Sequence, residues 1–437
     1  PMSYRIRPLV AVVALALASS AFAAKPAKSA KPEAKAAPAP VASAEFELAH
    51  NLNPEGEATL QAVVDRFNKD NGGNLKLVRL EKGDKPAGLN LLRRYDLGEV
   101  LAQPKAFVPL ADMMAKAGQP LNVGELSPEL KASATDAKGK LVALPLIYST
   151  PVLFYNKNAF RKAKLDPEQP PKTWFEMQGV LDKLLDAGYT CPYTTSWPVW
   201  VHVDNVSSVS GVPAVSDKAQ LTFNGLPQVK HIAMMATWAK AGYFRVFGRR
   251  DEGSKRFHEG ECAMVTTDSR EFIDFRDAKG VELGVAPLPY HDDVYGGRQN
   301  TLADGASLWV GAGRSAAEYK QAAKFVSFLL APEMQVEIVR TYGGLPLTAA
   351  ARAAARSKIL KDDGDRTLDV AYASLQGKAG RSALHVADID AVRQIADEEL
   401  EAVWADKKPA KAALDISVNR GDAVLGSKPA LKKAQPF

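Results

Sequence analysis

The sequence predicts an α/β fold arranged as two lobes. Strand-like and helix-like segments alternate along the chain, the first of them in β-α-β order, which implies a parallel sheet with helices packed against it. About 390 residues follow a compositionally biased start, more than one hydrophobic core usually serves. No repeat at solenoid periods competes with this arrangement.

Residues 1–23 have the form of a secretory signal peptide. Arg5 and Arg7 precede the apolar run "LVAVVALALA", which is too short to span a bilayer, and "AFA" ends at Ala23 with the small-x-small pattern of a cleavage site. Ala24 follows rather than Cys, which argues against a lipid anchor, and no later run has the length of a membrane-spanning helix. The expected product is an exported, periplasmic, soluble protein. Residues 24–44 are almost entirely Ala, Pro and Lys, too poor in apolar surface to offset chain entropy, and read as a tether. Six basic residues and only Glu33 lie within 1–44, so of the formal net charge of +6 only +1 belongs to the remainder. The basic balance therefore carries no implication of nucleic-acid binding.

The tether gives way to "AEFELAH", a short strand. "GEATLQAVVDRFNKDNGG" then carries Leu60, Val63, Val64 and Phe67 at helical spacing and stops at Asn71-Gly72-Gly73. "NLKLVRLEKGD" alternates as a strand. "LVALPLIYSTPVLFYN" reads as strands, "AFRKAKL" and "TWFEMQGVLDKLLDAG" as helices, and "GVELGVAPLP" and "ASLWVGAG" as further strands. "SAAEYKQAAKFVSFLL" is a helix with Ala323, Phe325, Val326 and Leu329 on one face, and from residue 346 the chain is mostly helical.

Catalytic signatures are absent from the sequence: no G-x-S-x-G, H-E-x-x-H, C-x-x-C, Walker loop or complete G-x-G-x-x-G. The six histidines, at 50, 202, 231, 258, 291 and 385, show no metal-ligand spacing. "DDGD" at 362–365 lacks the spacing of a calcium loop and reads as a solvated turn. "GRRDEGSKRFHEGE" mixes signs as an exposed helix face does and recommends no phosphate site. Cys191 and Cys262 are a pair that an exported protein would join, closing a loop of about 70 residues worth roughly 4 kcal/mol on the chain-entropy model. Two separate buried thiols are the alternative.

At "STPVLFYNKNAFRKAKLDPEQPPKTW" the chain resembles the periplasmic sn-glycerol-3-phosphate-binding proteins of ABC importers, within family 1 of the extracellular solute-binding proteins. "GYTCPY", "QVKHIAM", "FGRRDEGSKRFHEGECAMVTTDS", "GASLWV", "AKFVSFLLAPE" and "VRQIADEELEAVW" follow in the family's order from about residue 140 to 422. The resemblance implies two α/β lobes joined by a hinge that the chain crosses several times, with ligand held in the cleft. The expected lobes are 45–148 with 285–338, shortened by a lost helix, and 149–284 with 339–437. It also implies a monomer that hands a small molecule to a membrane permease, with no catalysis, no cofactor and no nucleic acid.

The resemblance also assigns ligand-binding residues. Trp197 and Trp200 of "WPVW" line the cleft in this reading, where an indole face excludes water from C–H surface or attracts a quaternary ammonium. Pro198 and Thr195-Ser196 are expected to hold both rings outward without a helix. Arg393 offers a planar fork to phosphate oxygens. Ser149 matches a serine that donates its hydroxyl, and Gly305 a glycine that lets backbone N–H approach the ligand. Asp96 falls on a family glutamate that accepts from ligand hydroxyls. Lys85 and Gly344 fall where the family has tyrosines, leaving Lys85 or Tyr342 to compensate. The ligand so implied is glycerol 3-phosphate or a glycerophosphodiester such as glycerophosphocholine. An uncharged di- or oligosaccharide is the alternative ligand, and a sensory or interaction protein that has lost transport is the alternative role.

Overall fold

A computed structural model of the chain describes residues 46–81, 84–93, 104–131, 134–135, 140–212, 214–216, 220–294, 296–358, 366–376 and 389–426. The expected signal peptide and tether, Asp96, the acidic turn at 362–365 and His385 lie outside the described residues.

Eleven strands among the described residues form two sheets. The first contains β1 (Phe46–His50), β2 (Leu75–Arg79), β3 (Leu89–Arg93), β4 (Phe107–Val108), β5 (Leu144–Ser149) and β11 (Asp304–Gly311), in the order β2-β1-β3-β11-β4 with β5 also on β11. The second contains β6 (Pro151–Asn156), β7 (Cys191–Thr195), β8 (Phe244–Arg245), β9 (Cys262–Asp268) and β10 (Leu283–Pro287), in the order β10-β6-β9-β7-β8. β1 runs parallel to β2 and β3, as the β-α-β order requires. The sheets are nonetheless mixed rather than parallel. β11 runs antiparallel to β3, β4 and β5, and β6 antiparallel to β9 and β10. β11 arrives from the second sheet instead of through a crossover helix, so nothing forces it parallel.

Local signals explain the helices. Asn53 accepts from the Gly56 amide and caps the helix Pro54–Asn71, and Gly72 ends it at φ 60°. Leu60, Val63, Val64 and Phe67 are buried, as their spacing predicts. Capping boxes Thr173/Glu176 and Ser315/Glu318 open the helices Trp174–Asp186 and Ala316–Leu330.

The chain passes between the sheets with little slack. Ser149 ends β5 and Pro151 begins β6, so Thr150 alone separates the two sheets. The return lies between β10 and β11. A first-lobe segment beginning at 285 therefore starts inside β10, which stays with the second sheet because it pairs with β6. The stretch from 339 is divided as well. The Ser127 amide bonds to the Leu347 carbonyl and Leu126 bridges Thr348, tying this part to the first lobe. The helices Ile389–Trp404 and Ala410–Gly426 instead pack with Val199, Val203 and Ile232 of the second.

Cys191 and Cys262 face each other in the β7/β9 register and form a disulfide, with an S–S distance of 2.06 Å.

Candidate functional site: a tryptophan and arginine pocket

β7 ends at Thr195, and the chain turns immediately. Ser196 is locked from both sides: its amide donates to Thr266 O at 3.0 Å, and its hydroxyl accepts from the Ser254 amide at 2.8 Å. Trp197 then adopts φ 53°, a left-handed conformation that costs a non-glycine residue about 1–2 kcal/mol. Two backbone bonds hold it there. Trp197 N–H donates to Arg250 O at 2.9 Å, and Val201 N–H donates to Trp197 O at 3.0 Å.

The chain does not stay a loop after this bend, contrary to expectation. Residues 198–199 are helical, Trp200–Asn205 form a π-helical turn, and Val206–Val209 continue as α-helix. Pro198 tolerates this because its missing N–H would be unpaired in the first turn anyway. Trp200 is consequently rotated into the second-lobe core beside Val201 and Met235 and is 5% exposed, rather than turned outward. Its indole N–H makes no hydrogen bond among the described residues. Trp197 remains half-buried, with the Arg250 guanidinium 5.4 Å from its ring centroid.

Both rings border a cavity of about 190 Å³. Val199 completes their wall, Arg249 and Arg250 form a second, and Asp390, Arg393, Gln394 and Asp397 form the third. These four recur at i, i+3, i+4 and i+7 of the helix Ile389–Trp404, so one helix face supplies them all. Trp197, Trp200 and Arg393 thus border one crevice, but every residue lining it belongs to the second lobe rather than to both lobes as the resemblance implied.

Arg393 is not idle in it. Its Nε and Nη2 lie 2.8 and 2.7 Å from Asp204 Oδ2, and Nη2 lies 3.2 Å from Asp304 Oδ2. All three residues are less than 8% exposed. Asp204 belongs to the π-helical turn and Asp304 opens β11, so the guanidinium joins the second lobe to a strand of the first sheet. Ser149 and Gly305 meet this cluster through Asp304. The Ser149 hydroxyl donates to Asp304 O at 3.4 Å, and the Gly305 amide donates to Asp304 Oδ1 at 2.7 Å. Glycine is required at 305 by packing, since a Cβ there would lie 1.9 Å from Ile147 O.

Other charges around the cavity are set by neighbours. Arg249 makes a two-pronged pair with Glu401, with Nε to Oε1 2.7 Å and Nη2 to Oε2 2.6 Å. Burial pushes the Asp397 carboxyl up to about 7, with Arg249 and Arg250 opposing the rise. Arg249 and Arg250 come from the mixed-charge "GRRDEGSKRFHEGE". That stretch is not merely a solvated face: its first turn carries two arginines to the tryptophans. The even mixture of signs hid them.

Lys85 is exposed between β2 and β3 and makes no hydrogen bond or ion pair among the described residues. Tyr342 lies apart from the tryptophans. It donates to Gly56 O at 3.1 Å and borders a second cavity of about 220 Å³ with Asn53, Arg270 and Glu271. Ser269, not singled out by the sequence, accepts from the Thr150 amide at 3.3 Å beside Ser149.

Three of the scattered histidines come together. His202 Nδ1 is 2.9 Å from His231 Nε2, whose Nδ1 is 3.0 Å from His291 Nε2, with Trp174 packed against all three rings. Tyr193 contacts the inner end of the chain at His202. Linear spacing missed the group because β7, the π-helical turn and two later segments meet only in the folded lobe. Burial lowers His202 to about 3 and His231 well below its ordinary value, so the inner two imidazoles are neutral. Among the described residues no cluster is arranged to hold a metal ion.

Residues 62–367 match the family described as bacterial extracellular solute-binding protein. This chain belongs to that family. The solute-binding protein is 35% identical over 401 residues to the sn-glycerol-3-phosphate-binding periplasmic protein UgpB of Pectobacterium atrosepticum, covering 86% of this chain and 90% of the relative. Its counterpart from Yersinia pestis is 34% identical over 410 residues, covering 88% and 93%. Among solved structures, UgpB from Mycobacterium tuberculosis in complex with glycerophosphocholine matches with a TM-score of 0.72 at 18% identity, covering 88% of this chain and 99% of that one. The cyclic alpha-maltosyl-1,6-maltose binding protein of Arthrobacter globiformis matches with 0.70 at 19%, with the same coverage. Both share the two-lobed fold.

Proposed function

We propose that this protein is the periplasmic capture component of an ABC importer, binding glycerol 3-phosphate or a glycerophosphodiester such as glycerophosphocholine between its lobes and passing it to the permease. The observation that carries the reading is the shared crevice of Trp197, Trp200 and Arg393, in a chain 35% identical to proteins named for sn-glycerol 3-phosphate over 86% of its length. The family role is solute binding, and no helix among the described residues is long and apolar enough to cross a membrane.

In this mechanism the Trp197 face and the exposed edge of Trp200 cover the ligand's carbon skeleton. Arg393, held rigid by Asp204 and Asp304, directs donors at the phosphate, and Arg250 adds a guanidinium beside Trp197 that is not paired with a carboxylate among the described residues. Ser149 and the Gly305 backbone brace Arg393 through Asp304. Asp96 and Lys85 are the ligand groups that the resemblance assigns to the first lobe, with Asp96 outside the described residues. Ligand touching both lobes favours the closed state by its differential affinity, and a micromolar dissociation constant, about −8 kcal/mol, suffices for such a carrier.

An uncharged saccharide is the second reading, favoured by the two carboxylates that already occupy Arg393. Calorimetric titration of the purified protein separates the two. Heat with glycerol 3-phosphate or glycerophosphocholine and none with maltose is the expected result. Heat with sugars alone overturns it.

A further inference from the structure

The charges around the tryptophan crevice do not balance toward an anion. Arg393 faces two carboxylates and Arg249 faces Glu401. Arg250 stacks on Trp197. Asp390 and Asp397 remain, and neither forms a hydrogen bond or ion pair among the described residues although both line the cavity. Asp397 is half-buried. A partly desolvated carboxylate with no partner is costly unless something else supplies the donor. The adjoining surface is indole, which attracts cations through its face and offers no hydrogen-bond acceptor.

Resting on the reading above, we propose that Asp397 is a specificity-determining residue that receives the cationic head of a zwitterionic glycerophosphodiester against Trp197 and Trp200. The phosphodiester then reaches Arg250 and Arg393, and the glycerol end extends toward the first lobe. Glycerol 3-phosphate has no cation for Asp397 to hold, so the residue discriminates between the two ligands. A protonation signature accompanies this role. Asp397 titrates at about 7 because of burial, and a cation binds only its ionised form. The charged groups facing it are Arg249 and Arg250 from the adjoining loop and Arg393 and Glu401 on its own helix. The arginines do not titrate in the working range, and pairing with Arg249 keeps Glu401 below its usual value and so ionised.

The test is calorimetry of the intact protein and of Asp397→Asn with glycerophosphocholine and glycerol 3-phosphate from pH 6 to pH 8. Glycerophosphocholine affinity of the unaltered protein is expected to rise roughly tenfold across that range, as one carboxyl passes from mostly protonated to mostly ionised. Asp397→Asn should lose about the same factor at pH 8 and show a flat profile, with glycerol 3-phosphate bound no more weakly than before. If Asp397→Asn does not fold, the profile of the unaltered protein decides by itself. Equal affinity and an unchanged profile in the variant overturn the role of Asp397 and leave the ligand reading intact. So does binding of glycerol 3-phosphate without glycerophosphocholine. Absence of heat with either phosphate compound overturns both.

Discussion

Trp197 and Trp200 stand three residues apart, yet they occupy different environments. Trp197 sits in a left-handed conformation, half-exposed beneath a guanidinium, whereas Trp200 is sealed into the second-lobe core with only an edge on the cavity. A strained backbone held by its surroundings is a pattern of functional sites, and a buried indole is a pattern of packing. Two identical side chains in one motif can therefore divide recognition and stability between them.

Substitution can break this contrast. Trp200→Ala is expected to cost about 3–5 kcal/mol of unfolding free energy through the void it leaves, read by urea denaturation. Trp197→Gly should leave stability unchanged or raise it by up to about 1 kcal/mol as the strain is relieved, while ligand affinity falls by roughly 30-fold with the lost cation–π face. Equal stability losses at the two sites would make both rings core.

Arg393 sharpens the same contrast, because it borders the cavity yet is buried. Arg393→Met leaves Asp204 and Asp304 buried without their guanidinium and should destabilise by about 3–5 kcal/mol. If only affinity changes, Arg393 is a ligand group and not a clamp.

Acid sensitivity is read separately, because it accumulates with every pH unit. His202 and His231 are depressed by burial, so the unfolded chain binds protons that the folded one refuses as pH falls below the ordinary histidine value. Stability gained by staying neutral is full above about pH 6.5 and drains at about 1.4 kcal/mol per pH unit for each imidazole below it. Urea midpoints between pH 7 and pH 4 should follow this slope, and His202→Phe should remove one imidazole's share of it, about half.

Local pattern revealed much of this. The Leu60-Val63-Val64-Phe67 stripe, the Ala323-Phe325-Val326-Leu329 face and the strand runs at 144–156 act through neighbours in the chain, and they lie where the spacing put them. Cys191 and Cys262 were a pair in sequence and are one in space. What was hidden depends on distant segments. The antiparallel entry of β11, the Asp204–Arg393–Asp304 cluster and the three-histidine chain each join distant segments, with 189 positions between Asp204 and Arg393 and 60 between His231 and His291. The π-helical turn at Trp200 was hidden for a different reason. Pro198 breaks helices in most settings, and only the fold shows it at a start, where it is harmless.

The single residue between β5 and β6 has a mechanical consequence. Thr150 is knotted to its surroundings: its amide reaches Ser269, its carbonyl accepts from the Ser269 amide, and its hydroxyl meets Thr301 and the Leu302 carbonyl. A pivot this narrow leaves the halves little freedom to slide or shear, and swinging about the knot is the motion it permits. Travel in a swing grows with distance from the pin, so segments beside the knot move least. Groups near the pin, Ser149 and Asp304 among them, then keep one arrangement throughout, and the Asp304 contact to Arg393 is carried with them.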